Sequence, residues 1–226
     1  MILHITEKYK NLFSILESCS FKLKYCGEYF GDKNKVISSA AHPMVSFSEY
    51  TELELATRKI PYGDYAVALS KEWARRSGLN PVLYVEKHSQ VAIGLAGLLK
   101  DRQKKGKDEI PRKLRLPIMQ VKCFTKHETG YNSHFDKDDF CFKDENEWRY
   151  VPSKKQIDGN YISLNYSTYD KNKDKFNNRL SDYQLSFSIS DIKAVYVKTD
   201  LQRQEVLGRI ELPIEKVKLS MWERLT

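Results

Sequence analysis

The most regular stretch of the sequence is DYAVALSKEWARRSGLNPVLYV, residues 64–85. Its first apolar run, residues 65–69, predicts a buried strand, and Ser70 is a typical N-cap for a helix over residues 71–77. Gly78 stands where such a helix ends, and the apolar run over residues 81–85 predicts a second strand. The order strand, helix, strand indicates a fold that mixes both kinds of element.

The residues before this stretch predict a strand followed by a helix. Residues 3–6 form a strand-like tetrad, and Tyr9, Leu12, Phe13 and Leu16 recur at helical spacing, with Thr6 as the expected N-cap and an end near residues 18–20. Three further predictions lie between this helix and residue 63: a turn at 31–35, a strand at 44–48 and irregular structure over 51–62.

The residues after this stretch predict mainly strands. The expected elements are a helix over 89–105, a strand over 118–124, a polar loop over 130–139, strands over 140–142, 147–151 and 192–197, and a helix over 205–210. Residues 165–182 are rich in Asn, Lys, Asp and Tyr and predict an exposed excursion, and the tail over 200–226 is expected to be helical. We therefore expect one α+β domain over residues 1–226, with a mixed sheet of about six to eight strands flanked by three or four helices.

Composition limits the classes of protein that this chain can belong to. It has 226 residues and a formal net charge of +8, and its content of 41% hydrophobic and 12% aromatic residues excludes a disordered chain. No uncharged apolar run is long enough to cross a membrane, and the first residues do not resemble a signal peptide. The four cysteines are too few and too scattered for a disulfide framework or a zinc site, so a reducing cytoplasm is the expected compartment.

One segment carries much of the positive charge. Residues 100–115 contain eight basic side chains, namely Lys100, Arg102, Lys104, Lys105, Lys107, Arg112, Lys113 and Arg115, against three acidic ones. Such a segment predicts a surface for nucleic acid or for another acidic partner, although a solvated helix end gives the same pattern.

Few residues fit known catalytic patterns. The sequence has no phosphate-binding loop, no dinucleotide fingerprint and no nucleophile elbow, and we expect no metal site. A metal-dependent nuclease on Asp136, Asp138 and Asp139 is disfavoured because these acids lie in the polar loop. Three places remain: His4, the serines Ser46 and Ser48, and the pair Glu145 and Glu147. Each place also has a purely structural explanation. His4 is also typical of a hydrogen-bonded core histidine, and Ser46 and Ser48 fit the ordinary alternation of a strand with Phe47 inward. Glu147 and Arg149 fit an ion pair on one face of a strand.

The chain resembles two groups of bacterial proteins. The segments PMVSFS (43–48), YGDY (62–65), LSKEWA (69–74), NPVLYV (80–85), ENEWRYVP (145–152) and SDIKAVYV (190–197) resemble the AbiGi family of abortive phage resistance, which is described as a putative antitoxin. The opening LHIT (3–6) with NLFSIL (11–16) is similar to the DarT-like branch of ADP-ribosyltransferases.

The second resemblance implies a fold, a cofactor and a set of site residues. It implies a split, bent sheet that holds NAD as a substrate, without a metal, and transfer of ADP-ribose to a nucleic acid or a protein. Glu147 would stabilise the positive charge that develops on the ribose, with Glu145 as the alternative catalytic carboxylate. The residues expected to bind the cofactor are His4, Thr6, Ser46, Ser48, Tyr65 and Tyr84.

The resemblance to AbiGi implies a different kind of function. The chain would then be a non-catalytic antitoxin or partner-binding protein of a defence operon, acting on a cognate toxin or on nucleic acid through residues 100–115. Both resemblances imply a role in anti-phage defence.

Overall fold

The computed structural model describes residues 1–32 and 35–225. The α-helices are α1 Tyr9–Ser18, α2 Glu52–Thr57, α3 Lys71–Arg76, α4 Gln90–Gln103, α5 Arg112–Cys123, α6 Tyr166–Asp170, α7 Lys173–Asn178 and α8 Asp200–Arg209. The strands of the first half are β1 Ile2–Thr6, β2 Ser20–Lys22, β3 Lys24–Asp32, β4 Lys35–Glu49, β5 Lys59–Ile60, β6 Tyr65–Leu69, β7 Asn80–Pro81 and β8 Leu83–Val85. Those of the second half are β9 Thr125–His127, β10 Thr129–Asn132, β11 Lys137–Cys141, β12 Glu147–Tyr150, β13 Leu164–Asn165, β14 Gln184–Ser186, β15 Ile192–Val197, β16 Val217–Leu219 and β17 Glu223–Arg224.

A mixed sheet organises the described part of the chain. It has nine strands in the order β16-β15-β6-β1-β4-β12-β7, and β3 and β13 pair with β4 outside this path. The pair β15–β16 is parallel, whereas β1 and β12 both run antiparallel to β4. The expectation of an α+β fold with a large mixed sheet flanked by helices is confirmed.

Strand β4 is long enough to belong to two parts of this sheet. Its first ten residues pair with β3, and its last five pair with β1 on one side and β12 on the other. The strand therefore joins the central sheet to the hairpin of β3 and β4.

Three groups of buried side chains hold the layers together. The largest contains α1, α3 and one face of the sheet, with Leu12, Phe21, Phe47, Trp73 and Val195. The opposite face is covered by the segment around α2 and by Trp222. A third group packs α4 and α5 against β3 through Phe30, Leu95, Leu99, Ile118 and Met119.

Several predictions were confirmed, and others were wrong. The strands β1, β6, β12 and β15 and the helices α1, α3 and α4 lie where the sequence indicates, and Ser70 caps α3 as expected. Thr6 is not the N-cap of α1, because the helix begins two residues later, after Lys8. The predicted turn over 31–35 includes residues 33 and 34, which lie outside the described residues.

The segment read as a strand over 118–124 is part of helix α5. The alternation of Met119, Val121 and Cys123 predicts one buried strand face. However, Val121 is exposed, whereas Met119 and Cys123 are buried. Burial instead follows the helical spacing of Ile118, Met119, Lys122 and Cys123.

Four other segments also differ from expectation. Residues 51–62 contain α2, which has a capping box between Thr51 and Glu54. Residues 130–139 belong to the hairpin of β10 and β11. The segment over 165–182 forms α6 and α7 and buries Tyr169, Phe176 and Leu180, so it is not simply an exposed excursion. The tail over 200–226 is helical only through α8, after which it forms β16 and β17.

Trp73 provides a test of the main core. Its ring packs against Phe21 and Phe47, and its Nε1 donates a hydrogen bond to the Ser186 carbonyl at 3.2 Å. Because the side chain is fully buried, we expect Trp73→Ala to lower the free energy of unfolding by about 3–5 kcal/mol. Leu53→Ala is the matched control, since Leu53 is 73% exposed, and it should change stability by less than about 0.5 kcal/mol. Equal midpoints in urea for the two variants would contradict this packing.

Candidate functional site

A cavity of about 1320 Å³ opens between the central sheet and the β3–β4 hairpin. We call it the cleft. Residues of β1, α1, β3, β4 and β9–β10 line it, and so do six of the residues singled out in the sequence: His4, Thr6, Ser46, Ser48, Glu145 and Glu147. Residues that are far apart in the chain therefore meet on one surface.

Strand order explains why these residues meet. Strands β1, β4 and β12 are neighbours in the sheet, which places His4, Ser46 and Glu147 side by side. His4 Nδ1 lies 3.0 Å from the Ser46 carbonyl oxygen, and Ser46 Oγ donates to Glu147 Oε1 at 2.8 Å. The three residues form one connected series from one strand to the next.

The Glu147 carboxylate is held by an arginine that has no solvent exposure. Arg149 donates from Nε to Glu147 Oε1 at 2.7 Å and from Nη2 to Oε2 at 2.9 Å. Its remaining bonds go to Glu28 Oε1 at 2.8 Å and to the Cys123 carbonyl at 2.6 Å. Glu147 therefore both pairs with Arg149 and lines the cleft.

Lys126 connects the two carboxylates. Its Nζ donates to Glu145 Oε2 at 2.9 Å and to Glu147 Oε2 at 3.3 Å, and it lies 4.1 Å from the centre of the Phe142 ring. Tyr62 Oη donates to Glu145 Oε1 and accepts from Asn132 Nδ2 at 3.1 Å. Each carboxylate is thus fixed by at least two donors.

These surroundings shift the pKa values of the two glutamates in opposite directions. Burial alone would raise the pKa of Glu147, but Arg149, Lys126 and the Ser46 hydroxyl outweigh it and lower that pKa to about 2. Burial raises the pKa of Glu145, and the negative charge of Glu147 adds to this, although Lys126 opposes it. One carboxylate is locked in its charged form and the other is the stronger base.

The surroundings of His4 favour its neutral form. Burial lowers its pKa, and its ring packs against Phe21 and Phe47 at centroid distances of 4.9 and 5.5 Å. In the tautomer that donates from Nδ1 to the Ser46 carbonyl, Nε2 is left as a hydrogen-bond acceptor.

Two residues expected to bind the cofactor, Tyr65 and Tyr84, do not line the cleft. Tyr65 Oη accepts from Gln202 Nε2 at 3.2 Å and its ring packs against Tyr9. Tyr84 Oη accepts from the backbone N–H of Glu147 at 2.9 Å and so helps to fix the backbone of that residue. Cofactor binding by Tyr65 or Tyr84 stays a prediction.

Sequence reasoning missed four residues of the site, namely Glu28, Tyr62, Lys126 and Asn132. They lie on β3, before β6, on β9 and on β10, and only the pairing of distant strands brings them together. Tyr62 has a left-handed backbone conformation just before Gly63. A tyrosine followed by glycine does not specify this conformation, so the sequence contains no clear signal for Tyr62.

The basic side chains of residues 100–115 lie apart from the cleft. They occupy the last turn of α4, the link to α5 and the first turn of α5, and none of them lines the cleft. Within this group Lys104 pairs with Asp101 at 2.8 Å and Arg115 with Glu109 at 2.8 Å.

Two other kinds of feature are absent from the described residues. No group of three or more His, Cys, Asp or Glu side chains there could hold a metal ion. None of the helices in residues 1–32 and 35–225 is both long enough and apolar enough to cross a membrane.

The pairing of Glu147 predicts an acid-sensitive contribution to stability. Its pKa in the folded protein lies below the ordinary value of 4.5, so the stabilisation is complete above that value and disappears as the pH falls from 4.5 towards 2. Glu147→Gln should lower the free energy of unfolding by about 3 kcal/mol at pH 7, because Arg149 loses its closest counter-charge.

The difference between the wild type and Glu147→Gln should shrink over the same pH range in urea titrations. Glu17→Gln is the control, since exposed Glu17 pairs with Arg209 only at 3.6 Å and should contribute less than about 1 kcal/mol. A difference that stays constant from pH 7 to pH 2 would contradict the assignment.

Comparison with known proteins places the chain in a family. The family model described as "Putative abortive phage resistance protein AbiGi, antitoxin" matches residues 19–198. The abortive phage resistance protein AbiGi of Lactococcus lactis subsp. cremoris is 25% identical over 170 residues, which cover 66% of this chain and 67% of that protein. No solved structure matches the chain. The chain belongs to the AbiGi family, whose description supports a role in abortive phage resistance.

Proposed function

We propose that this anti-phage protein binds NAD in the cleft and transfers its ADP-ribose to an acceptor. The observation that carries the proposal is the connected series His4–Ser46–Glu147 on three neighbouring strands, at the wall of a cavity large enough for a dinucleotide. The resemblance to ADP-ribosyltransferases supports it from the sequence.

Glu147 would act on the charge that develops at the ribose. The bond between ribose and nicotinamide breaks with its electron pair leaving on the nicotinamide nitrogen, so the ribose becomes positively charged. A carboxylate that is ionised and fixed by Arg149, Lys126 and Ser46 stabilises this charge without having to reorganise. His4 would accept a hydrogen bond from a ribose hydroxyl through Nε2.

Glu145 would act as the base that takes a proton from the acceptor's nucleophile. The nucleophile must lose a proton as it bonds to the ribose carbon, and the stronger of two neighbouring bases is the better proton acceptor. Burial raises the pKa of Glu145, while Tyr62 and Lys126 hold its carboxylate in place. The proton ends on Glu145 and the ADP-ribose on the acceptor.

The charge of the cleft wall favours a ligand with phosphates. Five lysines and three glutamates line the cleft within the described residues, and the glutamates are all paired with Arg149 or Lys126. Lys22, Lys24, Lys35 and Lys87 have no ion pair in that part of the chain. They are therefore available to the two phosphates of NAD.

Calorimetry with NAD tests binding. Lys24→Glu should weaken binding by about tenfold or more, because it reverses a charge at the cleft wall. Lys155→Glu is the matched control, since this exposed lysine lies outside the cleft and should leave the Kd unchanged. Absence of binding by the wild type at millimolar NAD would refute the proposal.

The chemistry is tested by incubating the protein with NAD and a nucleic-acid or protein acceptor and measuring the released nicotinamide by chromatography. Glu145→Gln keeps partners for Tyr62 and Lys126 but cannot take a proton, so kcat should fall by about 10²–10⁴ while NAD binding is retained. Unchanged turnover would remove Glu145 from the mechanism.

A second candidate function is that of an antitoxin that acts by binding a partner. The description of the family as an antitoxin favours it, and the exposed basic segment over 100–115 offers a surface. Plating of phage separates the candidates: the transferase requires Glu145 for protection, whereas an antitoxin keeps its effect in Glu145→Gln and loses it on charge reversal in the basic segment.

A further inference from the structure

The turn before β6 has a strained backbone at the wall of the cleft. Tyr62 has a φ of 73°, in the left-handed region that a bulky side chain rarely adopts. Gly63 follows with a φ of 150°, and a Cβ atom added there would collide with the backbone carbonyl of Thr6. The turn is therefore packed directly on the end of β1. Strained conformations of this kind persist where the surrounding structure imposes them, and they cluster at functional sites.

The turn and the β10–β11 hairpin together determine where the Tyr62 side chain lies. Tyr62 lines the cleft, and its ring centre is 5.3 Å from that of His134 and 5.5 Å from that of Phe135. Both of these rings belong to the turn between β10 and β11. The ring is thus held by the hairpin on one side and by its own backbone on the other.

Asn132 orients the hydroxyl group of Tyr62. The side-chain Oδ1 of Asn132 accepts from the backbone N–H of His134 at 2.9 Å, which leaves Nδ2 to donate to Tyr62 Oη at 3.1 Å. Because Tyr62 Oη accepts this bond, its own hydrogen is directed away from Asn132 and is donated to Glu145 Oε1. The donor is therefore oriented before any ligand binds.

This donor distinguishes Glu145 from Glu147. Lys126 donates to both carboxylates, whereas the single hydroxyl hydrogen of Tyr62 is committed to Glu145. Burial raises the pKa of Glu145, and the hydrogen bond from Tyr62 lowers it. The hydroxyl thus counteracts burial at one carboxylate without a bond to the other.

Other titratable groups face Glu145 from several elements. They are Lys126 on β9, Glu147 on β12, Tyr84 on β8, Tyr50 after β4, and Arg58, Lys59, Lys137, Asp139 and Asp144, which line a second cavity together with Glu145. Tyr62 can be removed from this set by the loss of one oxygen atom, which leaves every charge in place.

We propose that Tyr62 is a positioning residue for Glu145: its hydroxyl fixes the carboxylate in the cleft and sets the pH above which Glu145 accepts a proton. The proposal rests on the proposed transferase chemistry for its effect on turnover. The effect on the carboxylate itself does not require turnover, so the two are measured separately.

Nuclear magnetic resonance of the full chain labelled with ¹³C-glutamate measures the carboxylate directly. The Glu145 signal is the one that is absent from Glu145→Gln. In Tyr62→Phe its titration midpoint should rise by about one pH unit, because a hydrogen bond to the charged form is lost. Tyr183→Phe is the matched control, since Tyr183 Oη donates to Asp158 Oδ2 at 3.0 Å outside the cleft and its loss should leave Glu145 unchanged.

The pH profile of nicotinamide release measures the consequence for turnover. The acid limb of kcat should move up by about one pH unit in Tyr62→Phe, with the Kd for NAD retained and kcat recovering towards the wild-type value at higher pH. A variant with a damaged fold would lose kcat at every pH.

Gly63→Ala tests the backbone of the turn without changing Tyr62. The added Cβ atom would push the turn away from Thr6, so the same upward shift of the Glu145 titration is expected. Gly159→Ala is the matched control, because Gly159 also has a positive φ, of 81°, but a Cβ atom there meets no atom within 4 Å.

Two results would overturn the proposal. One is an unchanged titration of Glu145 in Tyr62→Phe, and the other is a kcat that falls by the same factor at every pH, which would make the role of Tyr62 purely structural. If the wild type releases no nicotinamide, the proposed function fails, and the titration of Glu145 still decides whether Tyr62 positions it.

Discussion

The buried guanidinium of Arg149 is the constraint on which the rest of the site depends. A charge with no solvent exposure is costly unless its hydrogen-bonding groups are satisfied, and Arg149 achieves this with Glu147, Glu28 and the Cys123 carbonyl. These partners come from β12, β3 and the end of α5. The arginine therefore fixes the central sheet, the protruding hairpin and the helical layer in one arrangement.

Strand β4 gives this arrangement its shape. Near the end of this fifteen-residue strand, Phe47 packs on Trp73 in the core. The adjacent Ser46 donates a hydrogen bond to Glu147 at the wall of the cleft. Alternation along a strand puts Phe47 on a different face from Ser46 and Ser48. The same short segment thus contributes to folding stability and to the candidate site, which explains why its sequence suited both interpretations.

The sequence predicted those parts of the site that strand order determines. His4, Ser46 and Glu147 could be grouped because each lies on a recognisable strand. Lys126 could not be found in this way, since its position depends on the parallel pairing of β8 with β9 and on a helix, α5, that reads locally as a strand. Pro117 lies inside α5, although proline is unfavourable in the interior of a helix. Tertiary packing of Ile118 and Met119 overrides this local preference.

The end of helix α5 connects the helical layer to the candidate site. Lys122 donates to the Glu28 carbonyl at 3.2 Å, and the Cys123 carbonyl accepts from Arg149. Three residues later, Lys126 bridges Glu145 and Glu147. A displacement of the last turn of α5 would therefore move an acceptor of Arg149 and the lysine between the carboxylates. The positions of both carboxylates in the cleft therefore depend on how the end of α5 packs against β3 and β12.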